Sequence, residues 1–132
     1  MHKTVLSTGV IIRGSDEFNA NITVLNLDPV NRRTVTIEIF DWGVEQLWSN
    51  ATTLPIQPTG PTTIDPNTQR DFVALITEST ARPGEPVVLY EIRATVDEIA
   101  DVVINCYAVA SNGQPIAGKT IRHNDLVVIP VV

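Results

Sequence analysis

Few side chains in this chain are of the types that perform catalysis, and they form no recognisable catalytic motif. Histidine changes charge near neutral pH, and the sequence holds only His2 and His123. His123 lies in a predicted turn close to Asp125, and no Gly-x-Ser-x-Gly segment accompanies it, which disfavours a Ser-His-Asp hydrolase. Cys106, the one cysteine, falls between apolar residues of a predicted strand, where a thiol is normally an inert core group. We therefore expect no enzyme, with no catalytic residue, metal or cofactor.

The densest group of carboxylates is Asp97, Glu98 and Asp101, between two predicted strands. Such oxygen ligands can bind calcium, but the glycine-containing twelve-residue calcium loop is missing. A solvated hairpin loop is the simpler interpretation of this group.

Two tryptophans, Trp42 and Trp48, form the pattern that most suggests a ligand. Exposed indoles can stack on sugar rings, which is the basis of an alternative function as a carbohydrate-binding module. The other interpretation is that they pack at one end of a core, where large rings bury much apolar area. Aromatic residues make up only 5% of the chain, and this scarcity favours packing.

Composition narrows the class of protein that could position these residues. The 132 residues correspond to one domain, and a hydrophobic content of 43% excludes a disordered chain. The net charge is −6 and there are two lysines, a poor basis for binding a nucleic-acid backbone. No apolar run is long enough to span a membrane, and the first residues do not resemble a secretory signal.

Valine, isoleucine and threonine account for 46 of the 132 residues, which favours strands because β-branched side chains suit a pleated surface. Alternation of apolar and polar residues supports this interpretation. The predicted strands are 18–24, 33–39, 71–76, 86–96, 101–110, 117–123 and 126–132. The sequence predicts an all-β, single-domain, two-sheet sandwich that is jelly-roll-like.

Four features of this prediction are specific enough to test. Strand 71–76 is apolar on both faces and is expected to be buried. Strands 117–123 and 126–132 are expected to pair with each other around a turn. Residues 52–67 contain four prolines and are expected to form the longest loop. A short helix is possible only at 43–49.

The first residues are the most unusual part of the sequence. Thr4 to Ile12 is a strand-like segment, and Gly14-Ser15 separates it from the first well-patterned strand. We divide the chain into an N-terminal connector arm, residues 1–14, and a β-sandwich domain, residues 15–132. In one interpretation the arm pairs within its own domain; in the other it completes the sheet of a neighbouring subunit. The arm's predicted contact residues are Val5, Leu6, Gly9, Val10, Ile11 and Ile12, with Gly14 as hinge and Gly9 allowing close backbone approach.

This organisation resembles that of the small jelly-roll subunits that polymerise into the endospore appendages of Bacillus-type bacteria. The likeness lies in the short arm, the Gly14-Ser15 joint and the Thr/Val/Ile-rich sandwich. The resemblance implies a head-to-tail homopolymer in which each arm inserts into the preceding subunit. Well-known members of that family carry cysteines in the arm that link subunits by disulfides, whereas this arm has none, so its fibre would be held non-covalently.

The resemblance also implies a setting. It predicts a fibre on a spore or cell surface, attached through an anchor protein, with no nucleic acid or membrane as partner. A structural protein of a virion, such as a phage tail or decoration protein, is the alternative setting for the same composition.

Overall fold

The computed structural model describes residues 3–44 and 51–130. Apart from one 3₁₀ turn, the regular elements of these residues are all strands. The strands are β1 (Thr4–Ser7), β2 (Ile11–Ile12), β3 (Asn19–Asn26), β4 (Arg33–Gly43), β5 (Thr52–Leu54), β6 (Thr62–Ile64), β7 (Thr68–Leu75), β8 (Leu89–Val96), β9 (Val102–Val109), β10 (Pro115–Ile121) and β11 (Val127–Ile129). Most of the region in which a short helix was possible lies outside the described residues.

The strands form two antiparallel sheets that pack as a sandwich, so the predicted fold class is confirmed. The first sheet has the order β11-β1-β8-β4-β5, with β2 also pairing with β8 and β6 also pairing with β4. The second sheet has the order β10-β9-β3-β7. No helix in the described residues is long and apolar enough to cross a membrane.

The core lies between the sheets and follows the alternation of the sequence. In β3 and β9, every second side chain points inward, and Ile22, Val24 and Ile104 are fully buried. The facing sheet contributes Ile37 and Ile39 of β4. Burial of such side chains contributes about 1.5–3 kcal/mol each before the entropy of ordering is subtracted, so this layer is the main source of stability.

The expectation that strand 71–76 is buried on both faces is wrong. This strand is β7, an edge strand of the second sheet. Phe72 and Ala74 are buried, whereas Val73 and Leu75 on the outer face are 37% and 46% exposed. Among the described residues, no further sheet covers the outer face of the second sheet. Apolar side chains on both faces of a strand therefore do not by themselves show that the strand is buried on both faces.

The last two strands do not pair with each other, contrary to expectation. β10 pairs with β9 in the second sheet, whereas β11 pairs with β1 in the first. The predicted turn is present as the 3₁₀ turn His123–Asp125, but the chain changes sheets there. His123 holds this turn against β9, because its Nδ1 accepts a hydrogen bond from the Ile104 amide at 3.0 Å.

The proline-rich stretch 52–67 is not a single loop, because β5 and β6 lie within it. Between these strands, residues 55–61 reach across to the second sheet. The Gln57 amide donates to the Val73 carbonyl at 3.0 Å, and the Val73 amide donates to the Gln57 carbonyl at 2.9 Å. Backbone hydrogen bonds therefore connect the two sheets on this side of the sandwich.

A buried ion pair holds the turn between β3 and β4. Arg33 Nη2 lies 2.8 Å from Asp28 Oδ2, and Asp28 Oδ1 accepts from the amides of Asn31 and Val30 at 2.9 and 2.8 Å. The backbone amides of Asn31 and Val30, together with the Asn31 side chain and Arg33, hold the pKa of Asp28 well below its usual value.

We predict that Asp28→Asn destabilises the protein near neutral pH and that this destabilisation becomes smaller as the pH falls below about 4. A lowered folded-state pKa contributes stability above the unfolded value, about 3.9, and that contribution is lost as the pH falls toward the folded value. Urea unfolding of both proteins at pH 7 and pH 3 measures the difference, with Asp16→Asn at an exposed site as control. A difference between wild type and Asp28→Asn that does not change with pH would contradict this account.

Candidate functional site

Strand β1 of the predicted arm lies in the interior of the first sheet. Val5 is opposite Thr95 of β8 on one side and opposite Ile129 of β11 on the other. β2 continues along β8, where Ile11 is opposite Tyr90. The described part of the arm is thus paired within its own chain, which is one of the two arrangements that the sequence left open. Pairing with another copy stays a prediction.

The predicted contact residues of the arm differ in their surroundings. Leu6 is buried in the core, and the half-buried Ile11 packs against the core. Val5 is half-buried. Val10 and Ile12 are 56% and 70% exposed, so they contribute little to holding the arm in its own chain. We call the site that the arm occupies, between β8 and β11 and along β8, the seat of the arm.

The two glycines of the arm differ in their surroundings within the chain, and their expected roles in contact with a second copy stay predictions. Gly9 has a φ of +71°, and a Cβ placed there would meet no atom within 4 Å. Its positive φ, rather than close approach within the chain, is what favours glycine there. At Gly14, the predicted hinge, a Cβ would lie 2.6 Å from Glu17 Oε2. A larger residue at this position would have to displace the buried Glu17 carboxylate.

A buried carboxylate on the outer face of the first sheet holds β1 in place. Ser7 Oγ donates a hydrogen bond to Glu91 Oε2, and Trp42 Nε1 donates to Glu91 Oε1 at 3.1 Å. Arg93 donates to both oxygens, from Nε at 2.8 Å and from Nη2 at 3.1 Å. We call these four residues, Ser7, Trp42, Glu91 and Arg93, the Glu91 cluster.

Hydrogen bonds keep the carboxylate of the Glu91 cluster ionised. Burial alone would raise the pKa of Glu91, but hydrogen bonds from Arg93, Ser7 and Trp42 outweigh it and leave the pKa below its usual value. The Arg93 guanidinium also lies 4.7 Å from the centre of the Phe40 ring, a cation–π contact. The cluster can position a strand, and it presents no nucleophile or general base to solvent.

The sequence places Glu91 on the outward face of its strand but does not reveal that it is buried. An outward glutamate is normally solvated. Arg93, two residues further along the same face, could have indicated that Glu91 has a cationic partner. The contacts of Ser7 and Trp42 with Glu91 depend on the pairing of strands that are distant in the sequence.

Trp42 is only half exposed to the outer face and its indole N–H is engaged by Glu91. Trp48 lies outside the described residues. The sugar-binding platform formed by the two indoles therefore stays a prediction.

Two further candidates from the sequence, Cys106 and the carboxylates around Asp97, have environments that give them structural roles. Cys106 faces inward, as predicted, and burial raises the pKa of its thiol to about 12. Asp97 Oδ1 accepts from the amides of Thr34 and Glu98, both at 2.9 Å, which stabilises the turn after β8. Within residues 3–44 and 51–130, no group of three or more acidic, histidine or cysteine side chains is placed to hold a metal ion.

No protein-family model matches the chain, and no curated protein sequence matches it. The likeness to spore appendage subunits therefore stays a prediction from the organisation of the chain.

We predict that Ser7→Ala lowers the free energy of unfolding by about 2 kcal/mol, because it removes a hydrogen bond to a buried charged group. It also removes the oxygen that accepts from the Gly9 amide at 2.9 Å. The midpoint of urea unfolding measures this loss. Ser111→Ala, in an exposed turn, is the control and should change the free energy by less than about 0.5 kcal/mol. Equal effects of the two substitutions would contradict the assigned role of Ser7.

Proposed function

We propose that the protein is a structural subunit that polymerises non-covalently, head to tail, by seating its arm in the first sheet of a neighbouring copy. The observation that supports this most is the position of β1. It is an interior strand of its sheet, yet β1 and β2 are joined to the other described strands by a single connection, residues 13–18. We call this connection the crossing segment.

Exchange of the arm between copies would preserve every contact of its seat. A strand that moves into the same site of another copy makes the same hydrogen bonds there, which is why swapping an identical element is a low-cost route to assembly. A vacated seat is itself unstable. β8 and β11 would each present unpaired backbone groups, and the core would lose Leu6. Such an edge recruits a strand.

The crossing segment has the geometry that an exchange requires. At its start, the Arg13 amide donates to the Val88 carbonyl beside the first sheet at 2.8 Å. At its end, the Phe18 amide donates to the Val109 carbonyl of the second sheet at 2.8 Å. The segment leaves the sheet that holds the arm and enters the other sheet. Opening of the turn within this segment would allow the arm to reach another copy.

The symmetry of such an assembly follows from its two surfaces. The arm and its seat are different parts of the molecule, so the contact between copies is heterologous and produces a ring or an open filament. The resemblance to spore appendages favours a filament on a spore or cell surface with an anchor protein, and a virion is the alternative setting.

We predict that the double variant Val5→Cys/Thr95→Cys forms disulfides between copies. The two residues are opposite each other on β1 and β8. Thr8 and Ile92 form a hydrogen-bonded pair, so by alternation Val5 and Thr95 form a non-hydrogen-bonded pair, whose Cα separation of about 4.5 Å suits a disulfide. Exchanged arms give a ladder of covalent oligomers on a non-reducing denaturing gel, whereas arms seated in their own chain give monomer only.

A mixture of the two single variants provides the control. Val5→Cys and Thr95→Cys chains should form a disulfide-linked heterodimer, because neither can close a designed bond alone. Val5→Cys mixed with Thr63→Cys, an exposed site on β6, should not. If the double variant remains monomeric at high concentration and the mixture yields no heterodimer, the proposed function is wrong.

We also predict that a chain lacking residues 1–12 no longer polymerises but binds a synthetic peptide of residues 3–14. The peptide would refill the seat between β8 and β11 and restore the lost free energy of unfolding, measured by urea unfolding with and without peptide. A peptide carrying Leu6→Asp is the matched control, since it places a charge in the core. Polymerisation of the shortened chain would show that the arm is not the connector.

A further inference from the structure

A second buried carboxylate, Glu17, lies in the crossing segment between the two sheets. Its side chain has no exposed surface, whereas most glutamate side chains in folded proteins remain exposed to water. A buried carboxylate is tolerated only where several donors compensate for its lost hydration. The donors around Glu17 therefore show what this side chain holds together.

The contacts of Glu17 link the crossing segment to both sheets. Its Oε2 accepts from the Gly14 amide and lies 3.4 Å from Lys119 Nζ of β10. Its Oε1 accepts from the Tyr90 hydroxyl of β8 at 3.4 Å. The Tyr90 contact joins it to the first sheet and the Lys119 contact joins it to the second.

The main chain of Glu17 adds two further contacts to the same turn. Its amide donates to the Gly14 carbonyl at 3.0 Å, and its carbonyl accepts from Arg13 Nε at 2.8 Å. With the side-chain contact to the Gly14 amide, the turn from Arg13 to Glu17 is closed on itself. The end of the arm is consequently fixed at one carboxylate.

The end of the arm also borders an opening between the two sheets. A cavity of about 190 Å³ lies beside the carboxylate, and its lining includes Ile11 of the arm together with Glu17, Tyr90 and Lys119. Ile11 packs against the core on one side and borders this cavity on the other. The polar groups around Glu17 therefore add to the apolar packing that holds the arm near β2.

We propose that the Glu17 carboxylate retains the arm in its own sheet and so controls how readily the arm is exchanged. This inference rests on the proposed function, since it names the contact that regulates it. For the arm to leave, the turn at Gly14 must open, and Glu17 must give up its contacts with the Gly14 amide and the Arg13 side chain. Tyr90 and Lys119 act indirectly, because they hold the carboxylate in the position from which it binds Gly14. Weakening these contacts should release the arm while the second sheet stays folded.

Hydrogen exchange on Glu17→Gln tests this directly. The amide of Thr8, which donates to the Ile92 carbonyl at 3.0 Å, reports opening of the arm, and the amide of Ile22 in β3 reports global unfolding. We expect the Thr8 amide to exchange at least about tenfold faster in the variant, with Ile22 unchanged. Glu78→Gln, at an exposed glutamate, is the matched control and should change neither.

A second variant keeps the test decisive. Lys119→Met removes the ammonium group but keeps much of the chain length, and it should accelerate Thr8 exchange in the same selective way, including in the event that Glu17→Gln does not fold. Equal acceleration at Thr8 and Ile22, or none at either, would overturn the assignment.

The same variants separate this inference from the proposed function. The substitutions are introduced into the Val5→Cys/Thr95→Cys chain, and the rate at which the covalent ladder forms is measured. Faster ladder formation supports both proposals. Selective opening at Thr8 with no ladder in any protein supports retention by Glu17 and overturns arm exchange, whereas a ladder that forms at an unchanged rate, with unchanged Thr8 exchange, overturns retention alone.

Discussion

The first sheet is complete only when β1 stands between β8 and β11. Within the described residues, β11 pairs with β1 and with no other strand, so the last strand of the sandwich depends on the first. This dependence couples residues from the two ends of the described fold. β11 therefore joins the first sheet only when a strand occupies the site of β1.

Two buried carboxylates hold the arm from opposite faces of this sheet. Glu91 acts on the outer face through Ser7, and Glu17 acts between the sheets through the turn at Gly14. Each is compensated by a cation, Arg93 or Lys119. A buried ion pair contributes little net stability compared with apolar packing, but its partners must be correctly placed. Here that requirement defines the position of the arm along β8.

The fold class could be predicted from the sequence because the side-chain period of a strand is visible in a single chain. β3 illustrates this, since Ile22 and Val24 are buried where alternation places them. Strand partners are not visible in the same way. Nothing in the apolar pattern of β7 distinguishes an edge from an interior position, and nothing in that of β11 indicates pairing with β1 rather than β10.

The candidate site was harder to predict than the fold. The arm and its contact residues follow from local pattern, but Glu17 and Glu91 are acidic residues whose burial depends on groups far away in the sequence, such as Lys119 and Ser7. Gly14 shows the same limit of local reasoning. Glycine suggests freedom of the backbone, whereas its cause here is the nearby Glu17 oxygen, which only the folded chain brings there.

The strand pairing of Gln57 with Val73 makes the sandwich mechanically asymmetric. On that side, backbone hydrogen bonds join the edges of the two sheets. On the side of β10 and β2, the sheets border the cavity beside Ile11. A force that separates the sheets therefore meets backbone hydrogen bonds at Gln57 and the side-chain contacts of Glu17 with Tyr90 and Lys119 on the side of β10. Tension applied through the arm acts on the side where side chains, rather than backbone groups, join the two layers.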